Sequence, residues 1–511
     1  MPLPLNTEKM PWPPKAWLPI VQDMQQADAW YGGDQDKLMA YYGGVSPASG
    51  AKTKQNSFER SFGMSFKGGI EFWSRRAYDP ASRHMPRIHV PVAADIAGCA
   101  ADFLFGESPK IEIPQAHQEK AEDGAIATEQ RLQELIELLS IDALLTEAAE
   151  ISSGIGGVYL VPCWDTEVAD RPILTVIPED NAIPEFRMGF LTVVTFYRTV
   201  QVDKTKVWRH LERHEAGYIF HGLYLGDDTH LGEMVPLDTL SETSGFEPEV
   251  KLPEGITGLM VAYIPNALPN RKHRIRIGRS DTAGAESLMD SIDQCMTSWM
   301  RDIVLGQAKV FVPSDWLSKT GRGQGATFDF DQDVFVRLNV DPLSKEAMNV
   351  TPNQFAIRYE EHRGTYLELF TQIIHAARYS PQSFGLHIDG QAESGTALKL
   401  REGASYKTTI KKRRFFEPAV AAALEKILVI DKQIFGNSSL VPYRPRVACI
   451  IGENDRQQTA QTIQLLSTAR AMSTRNRVRM AQPELKGQEL EDEVQRVMDE
   501  EGMNLPDPTG A

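Results

Sequence analysis

Two stretches of helical periodicity, on either side of a strand-like segment, constrain this fold more than any other feature of the chain. Apolar side chains recur at intervals of three and four residues in both stretches: Leu288, Ile292, Cys295 or Met296, Trp299 and Ile303 in the first, and Phe355, Tyr359, His362, Tyr366, Phe370, Ile373 and Ala377 in the second. This spacing places one apolar face along each helix. Between them, residues 306–350 include AKVFVP, TFDFD and DVFVRLNV, which predict short strands. The pattern predicts a hairpin of two helices with a small β unit at its tip.

The residues before this hairpin mix helical and strand-like patterns. Helices are predicted near Trp17–Trp30, at Ile88–Phe105 and at Glu129–Ser152. From 156 to 226 the chain changes to strands, with Ala216-Gly217 as a tight turn, and a further strand follows in LMVAYIP. We therefore expect a mixed α+β fold class for this half of the chain.

The residues after the hairpin are predicted to form a loop and then mainly helices. Ser394 can cap a long helix that begins at Gly395 or Thr396, and Pro418 is expected to kink it because proline removes one i→i−4 hydrogen bond. The other elements predicted here are the end of that helix near Leu428, a strand at Pro445–Ile451, and helices at Asp455–Ala471 and Glu489–Glu501.

Charge restricts the partners of this chain. Its 54 lysines and arginines against 69 aspartates and glutamates give a net charge of −15, which argues against a broad face that binds duplex DNA.

One stretch, 396–417, has the opposite sign: its net charge is 7 − 2 = +5, and its bases are Lys399, Arg401, Lys407, Lys411, Lys412, Arg413 and Arg414. Three interpretations stay open, in falling order of weight. They are a solvated face or a partner for acids on a neighbouring subunit, transient contact with nucleic-acid phosphates, and a nuclear localisation signal in KKRR.

No group of residues forms a convincing active site. His210, Glu212 and His214 would share one face of a strand and could hold a metal, but they lack the HExxH order of zinc proteases. Exposed polar residues on a half-solvated sheet explain them as well. The glycine-rich stretches 152–160 and 321–326 lack the strand–loop–helix order of a nucleotide site, and neither a Gly-Lys pair nor GxSxG occurs. We expect no enzyme activity, no catalytic residue, no cofactor and no resident metal.

The cysteines and the N-terminal residues carry expectations about the compartment. Cys99, Cys163, Cys295 and Cys449 lie far apart with no CxxC pair, which predicts reduced thiols. The proline-rich first twenty residues lack an apolar stretch of signal-peptide length, and no segment has the roughly twenty apolar residues that span a bilayer. We expect a soluble protein without a membrane partner, made inside a cell or in a particle assembled there.

Four short stretches, in this order along the chain, resemble the portal proteins of long-tailed bacteriophages. They are IHVPVAADIAGCAADFLFGESPKI, with an early helix that ends in an fGE.P turn; GRSD, before the first helix of the hairpin; SGTALKLREGA, at the start of the long helix; and STRNRVRMAQPELKGQELEDEVQRVMDEEG, with a Ser-led helix and then an acidic one. The resemblance covers about residues 30–502. The chain departs from the family in its proline-rich first twenty residues and in the basic insertion at 46–70.

The resemblance implies a portal-type fold and a ring. The parts it implies are an N-terminal segment and wing (1–283), a first stem helix (284–305), a β clip (306–350), a second stem helix (351–378), a channel loop (379–393), a long kinked helix with a wing strand (394–452) and a helical crown (453–511). The ring, usually of twelve subunits in this family, would occupy one vertex of an icosahedral capsid. The genome would be packaged and ejected through it.

Two sets of residues take on expected roles in that plan. The channel loop would line the narrowest part of the channel, through Ser380, Gln382, Ser383, Gly385, His387, Asp389, Gly390, Gln391 and Glu393. The clip would dock the packaging motor and later the head–tail adaptor, with Asp329, Asp331 and Asp333 on one strand face. A solvated strand edge protected by charge explains these three aspartates equally well.

The resemblance also implies partners and a location. The partners are further copies of this chain, the terminase large subunit, the head–tail adaptor, the major capsid protein, a scaffold protein where one exists, and double-stranded DNA in the channel. The location is the portal vertex of a virion, assembled in the bacterial cytoplasm. Two alternatives are kept: another ring-forming phage structural protein of a tail or baseplate, and an enzyme with a metal at His210, Glu212 and His214. No residue pattern encodes the subunit number, because ring closure depends on an interface angle.

Overall fold

A computed structural model shows a chain of mixed α+β architecture, as the sequence predicts. The residues that the structure describes are 3–4, 9–42, 87–114, 124–305, 309–311, 351–353, 357–386, 402–449, 456–469, 471–482 and 487–500. Several residues with predicted roles lie outside these ranges: Asp329, Asp331, Asp333, His387, Asp389, Gly390, Gln391, Glu393, Lys399 and Arg401.

The described elements are helices and antiparallel strands, and the strands β2 to β10 follow one another without an α-helix between them. The helices are α1 (Leu18–Gly32), α2 (Gln35–Met39), α3 (Val92–Phe105), α4 (Ala125–Leu138), α5 (Ile141–Ile155), α6 (Glu286–Leu305), α7 (Tyr359–Ala377), α8 (Gly403–Gln433), α9 (Arg456–Thr468), α10 (Thr474–Ala481) and α11 (Gly487–Glu500). The strands are β1 (Lys110–Glu112), β2 (Gly157–Cys163), β3 (Ile173–Pro178), β4 (Ala182–Arg187), β5 (Phe190–Asp203), β6 (Lys206–Glu215), β7 (Tyr218–Gly226), β8 (Glu233–Val235), β9 (Glu249–Lys251), β10 (Ala262–Pro265), β11 (Lys309–Phe311), β12 (Thr351–Asn353) and β13 (Arg446–Ala448). Within the described ranges, none of the helices has the length and apolar character needed to cross a membrane.

The main core lies between a three-stranded antiparallel sheet, in the order β10-β2-β3, and four helices. The central strand β2 is buried along nearly its whole length, as expected for a strand that is covered on both faces. Helices α3, α4, α5 and α8 supply the apolar side chains around it, among them Leu104, Leu145 and Leu424. This core is the body to which the hairpin is attached.

A second, antiparallel sheet runs in the order β4-β5-β6-β7-β8, with β9 also paired to β7. Strands β4 to β7 follow one another through tight turns, and longer connections lead to β8 and β9. The predicted turn at Ala216-Gly217 joins β6 to β7, and the φ of 85° at Gly217 explains the glycine there. β4 therefore forms one edge of this sheet, and β8 with β9 forms the other. Four inter-strand spacings of about 4.8 Å place these edges roughly 19 Å apart.

The single helix predicted at 129–152 is wrong, because two helices, α4 and α5, occupy this region. The helical conformation is interrupted at Ser140, which adopts a left-handed conformation with a φ of 49°. Leu135 before the break and Ile141 after it are both fully buried in the same core. Apolar periodicity therefore continues across the break, and the pattern alone does not reveal it.

Strand β4 is an element that the sequence pattern does not predict. It contains Pro184, which lacks the N–H that a central strand needs. Its position at the edge of the sheet, paired only with β5, explains why a proline is tolerated there.

The predicted helical hairpin is confirmed by α6 and α7. Strands β11 and β12 continue from the helices and pair antiparallel, with Lys309 opposite Asn353, at the base of the insert. The long helix α8 begins at Gly403 and extends to Gln433, beyond the expected end at Leu428, while the predicted start at Gly395 or Thr396 lies outside the described residues.

The C-terminal elements lie close to their predicted positions. β13 pairs with β1, so the strand after α3 and the strand after α8 form one small ladder. Helices α9 and α11 match the two predicted helices within a few residues. The Ser-led helix is α10, where the Ser473 hydroxyl accepts a hydrogen bond from the backbone N–H of Asn476 at 3.4 Å.

Candidate functional site

The α6–α7 hairpin is held together near its tip by one carboxylate. Asp302 on α6 accepts hydrogen bonds from Nε of Arg358 and from Nε2 of His362, each at 2.9 Å. The ring of Trp299 stacks on that of His362 with 6.1 Å between centroids. The hydrogen bond from His362, together with the Arg358 guanidinium, lowers the pKa of Asp302. The carboxylate is therefore charged at neutral pH, and it links the two helices where the β insert begins.

A second carboxylate fixes α6 to the body of the protein. Asp293 is fully buried and accepts hydrogen bonds from the Tyr42 hydroxyl at 2.9 Å and from the backbone N–H of Val90 at 2.8 Å. Nδ1 of His89 lies 3.0 Å from the same carboxylate. Burial and the Asp293 charge raise the pKa of Tyr42, so the phenol stays protonated and donates. This cluster ties the segments around α2 and before α3 to the first helix of the hairpin.

A third carboxylate, Asp281, lies where the hairpin, the body and α8 meet. It accepts hydrogen bonds from the Ser153 hydroxyl at 2.6 Å, from Nδ2 of Asn266 at 2.9 Å and from the Tyr379 hydroxyl at 3.1 Å. It also forms a buried ion pair with Nζ of Lys412 on α8. Burial lowers the pKa of Lys412, and the charge of Asp281 opposes that shift. We conclude that this pair is a structural joint between the end of α7 and α8.

The first residues of the predicted channel loop are anchored on α8. Ser405 of α8 accepts a hydrogen bond from the backbone N–H of Ser380, and its hydroxyl lies 2.9 Å from that of Ser383. Ser380 is only 2% exposed, which corrects its predicted role: it holds the loop in place and does not line a channel. Gln382 and Ser383 are half-buried in a short 3₁₀ turn, and Gly385 is exposed with a φ of 73°. The remaining predicted lining residues lie outside the described ranges.

The basic stretch on α8 divides into a buried and an exposed set. Lys412 is buried against Asp281, so its predicted contact with DNA or a neighbouring subunit is wrong. Arg413 is partly exposed and pairs with Glu417 at 3.2 Å. Lys407, Lys411 and Arg414 are exposed, and their spacing of four and three residues puts them on one face of the helix. Among the described residues of the stretch, this face is the part that stays available to a partner.

His210, Glu212 and His214 do share one face of β6, but they are engaged with other side chains. Nε2 of His214 lies 2.7 Å from Oε1 of Glu212, and Nε2 of His210 lies 3.3 Å from Nδ1 of His221. Phe246 stacks on both His210 and His221 with 5.0 Å between ring centroids. The three residues are therefore part of a packed polar cluster under the loop before β9.

The charges in this cluster follow from burial. Burial lowers the pKa of His210 to about 4, and the neighbouring His221 acts in the same direction. Burial acts to raise the pKa of Glu212, but the hydrogen bond and the charge of His214 outweigh it and lower the pKa to about 2. Across the residues that the structure describes, no group of three His, Cys, Asp or Glu side chains has the geometry to hold a metal ion.

The cysteines are free thiols in positions that suppress reactivity. Burial raises the pKa of Cys99 and of Cys449 to about 12, and that of Cys163 to about 11. A thiol is a nucleophile only as a thiolate. These three residues therefore serve as packing residues.

A basic segment that sequence reasoning missed lies just before α6. Residues 270–279 carry five bases within nine positions and no acid, a denser run than that of 396–417. The segment borders a cavity of about 370 Å³ next to α1. In that cavity the Asp23 carboxylate accepts from Nζ of Lys272 at 2.5 Å and lies 2.7 Å from Nε2 of His273. The density of bases could have identified this segment from the sequence, whereas the exposure of its side chains depends on the fold.

Comparisons with known proteins give only a distant likeness. No family model matches the chain, and no curated protein matches it. Among solved structures, the chain is similar to the neck of a native GTA particle computed with C12 symmetry, with 12% identity and a TM-score of 0.39 over 76% of this chain and 87% of that one. It is similar to the neck of an empty GTA particle computed with C6 symmetry, with 12% identity and a TM-score of 0.39 over 76% of this chain and 88% of that one. The function is therefore inferred from the residues and geometry of the chain itself.

Proposed function

We propose that this chain is the subunit of a phage portal, a non-enzymatic ring around a channel through which double-stranded DNA enters and leaves a capsid. The observation that carries the proposal is the antiparallel α6–α7 hairpin. Its far end continues into the β11–β12 ladder, and its near end is fixed to the α+β body by the buried Asp293 and Asp281. This is the arrangement that the sequence resemblance implies for the stem of a portal, with the clip at one end and the wing at the other.

Exposed apolar side chains near the tip of the hairpin support assembly with further copies. Ile303 on α6 is 41% exposed, and Ile357 and Tyr359, at the start of α7, are 45% and 49% exposed. Clustered apolar residues on a surface often mark a protein–protein interface. In a ring, neighbouring hairpins would cover them.

The link between α7 and α8 supports a fixed position for the channel loop. The Thr408 hydroxyl donates to the carbonyl of Arg378 at 2.8 Å, and Ser380 and Ser383 are bonded to Ser405. The loop at 379–393 therefore leaves the body from a rigid base. Binding and catalytic residues are often carried on loops that a rigid scaffold positions.

The partners and location follow from the portal proposal. A separate terminase would supply the energy for packaging, because no nucleotide site is expected in this chain. The terminase and later the head–tail adaptor would dock on the clip at 306–350, through Asp329, Asp331 and Asp333. The major capsid protein and any scaffold protein would contact the outside of the ring in the assembling virion. Reversing the three aspartates to lysine should weaken docking and leave the ring intact.

Light scattering and negative-stain imaging of the purified protein test the proposal. We expect a homogeneous ring of about 700 kDa, close to twelve times the 57.1 kDa of one chain, with a hole as wide as duplex DNA. A ring of thirteen would also fit, since assembly outside a capsid need not fix the number. A stable monomer or dimer at high concentration would overturn the proposal. A ring without a DNA-wide hole would favour a tail or baseplate component instead.

A further inference from the structure

Two oppositely charged surfaces lie at opposite edges of the sheet β4-β5-β6-β7-β8. We call residues 270–279 the basic edge and residues 227–254 the acidic edge. The basic edge has a net charge of 5 − 0 = +5, and the acidic edge, with eight acids and Lys251 as its one base, has 1 − 8 = −7. All the residues of both surfaces belong to the described ranges.

The basic edge is attached to the β4 side of the sheet. Ile277 packs in one cluster with Phe186 of β4. A β-carbon added at Gly189, in the turn after β4, would lie 3.2 Å from Nη1 of Arg276, so the segment passes the tip of the β4–β5 hairpin. The backbone N–H of Gly278 donates to the Tyr263 hydroxyl at 2.8 Å, which holds the segment against β10.

Three arginines of the basic edge stay available for a partner. Lys272 is neutralised by Asp23 through the 2.5 Å contact between Nζ and the carboxylate. Arg271, Arg274 and Arg276 are exposed, and none forms a salt bridge with the residues that the structure describes. They form a positive surface on a chain whose net charge is −15.

The acidic edge is attached to the β7 side. β8 and β9 both pair with β7, so the residues between and after them lie along this side of the sheet. Its exposed acids are Asp227, Asp228, Glu233, Asp238, Glu242, Glu247, Glu249 and Glu254. For Asp238, Glu242 and Glu247, on the connection between β8 and β9, no salt bridge to another described residue is present.

We propose that the basic edge of one copy of this chain binds the acidic edge of the next copy, as a subunit contact of the ring in the proposed function. Surfaces of opposite charge attract and exclude wrong pairings. Because the two surfaces lie roughly 19 Å apart on different edges of the sheet, each contact leaves one basic and one acidic edge free. A contact of this head-to-tail kind repeats from copy to copy and ends only when a ring closes.

Charge reversal at each edge tests the contact. The basic-edge variant is R271E/R274E/R276E, and the acidic-edge variant is D238K/E242K/E247K. In the basic-edge variant the net charge of that edge changes from 5 − 0 = +5 to 2 − 3 = −1, so it repels the acidic edge. In the acidic-edge variant the net charge of that edge changes from 1 − 8 = −7 to 4 − 5 = −1, so most of its attraction to the basic edge is lost. For both variants we expect at least about a tenfold loss of the ring fraction by light scattering. An equimolar mixture of the two variants should recover rings, because the three new glutamates of one variant then face the three new lysines of the other, and the second contact joins two unaltered edges.

A control and two outcomes keep the test decisive. The variant K110E/K204E/K206E lowers the net charge by as much as the basic-edge variant does, at exposed lysines outside both edges, and it should assemble like the wild type. Circular dichroism of every variant should match the wild type, since all the substituted residues are exposed. If the wild type forms rings and both edge variants also do, the proposed contact is wrong while the portal proposal stands. If the wild type itself forms no ring, the portal proposal fails first.

Discussion

At the scale of single residues, three buried carboxylates connect segments that are far apart in the sequence. Asp281 fixes α8 to the body, and Asp293 fixes α6 to it. Glu179, which follows β3, fixes the segment before α6 to the body. Glu179 accepts hydrogen bonds from the Tyr263 hydroxyl and from the backbone N–H of Gly278, the latter at 3.3 Å. Burial raises the pKa of Glu179 to about 7, although these hydrogen bonds oppose the shift. Each carboxylate is thus a joint between segments that are far apart in the sequence.

The buried pair of Asp281 and Lys412 predicts a large loss of stability on mutation. Asp281→Asn leaves the Lys412 ammonium buried without its counter-charge, so the free energy of unfolding should fall by about 3–5 kcal/mol. Urea unfolding of the purified variant measures this loss. The matched control is Asp28→Asn, which breaks the exposed pair with Lys37 and should cost less than about 1 kcal/mol. The double variant D281N/K412M should regain part of the loss, and a double variant no more stable than D281N would contradict this account.

The histidine cluster predicts a dependence of stability on pH. The pKa of His210 is about 4 in the folded chain, below the ordinary 6.5. Between these two pH values His210 is protonated in the unfolded chain and neutral in the folded chain. Neutral His210 contributes fully to the free energy of unfolding above pH 6.5. This contribution is lost as the pH falls towards 4, and the total loss is about 3 kcal/mol. Glu179 acts in the opposite direction between pH 4.5 and 7, because its pKa is raised to about 7.

A variant of His210 isolates the contribution of this histidine to the pH dependence. His210→Phe keeps a ring against His221 and Phe246, and it should reduce the loss of unfolding free energy between pH 6.5 and 4 relative to the wild type. His375→Phe, at an exposed position on α7, is the matched histidine control. Identical pH profiles for the wild type and the His210 variant would show that the cluster does not contribute.

At the scale of elements, the hairpin is stabilised at both ends by different chemistry. Its root is held by the fully buried Asp293, whereas its tip depends on the partly exposed pairing of Asp302 with Arg358 and His362. Buried hydrogen-bonded charges resist local opening far better than exposed ones, which are screened by solvent. The tip is therefore the weaker end.

Removal of the tip contact should loosen the hairpin locally. Asp302→Ala is expected to increase hydrogen exchange in the last turn of α6 and the first turn of α7, with no change in the three-stranded sheet of the body. Glu360→Ala, at an exposed acid on α7 next to this site, is the control and should leave exchange unchanged. Increased exchange throughout the protein would mean that Asp302 supports the whole fold and not only the tip.

The channel loop can be tested apart from its anchor. Deletion of 387–391 leaves Ser380, Ser383 and their bonds to Ser405 in place, so rings should form normally. Packaging or retention of DNA in assembled particles should fall, because the predicted constriction would be lost. The control variant Ser405→Ala removes the anchor while keeping the loop. Unchanged packaging and DNA retention in the deletion variant would contradict the role of the loop.

At the scale of the whole molecule, a strongly acidic chain still presents a positive surface, and the proposed contact would place this surface against the acidic edge of the next copy. The interaction between exposed charges is screened over about 10 Å at 0.1 M salt and about 3 Å at 1 M. We therefore expect the ring to dissociate more readily as salt is raised from 0.1 to 1 M, as measured by light scattering at fixed protein concentration. Rings with the same stability across this range would mean that apolar contacts, such as those of the exposed hairpin tip, dominate assembly.

The sequence by itself determined the elements that are long and strongly periodic. The hairpin helices α6 and α7 and the strands β5, β6 and β7 were all predictable, because apolar spacing acts over a few neighbouring residues. The tertiary structure decided which charged residues are buried. Lys412 and Arg414 belong to one basic run, yet Lys412 faces the core and Asp281, while Arg414 faces solvent. Their difference depends on what packs against α8, and that contact joins residues more than a hundred positions apart.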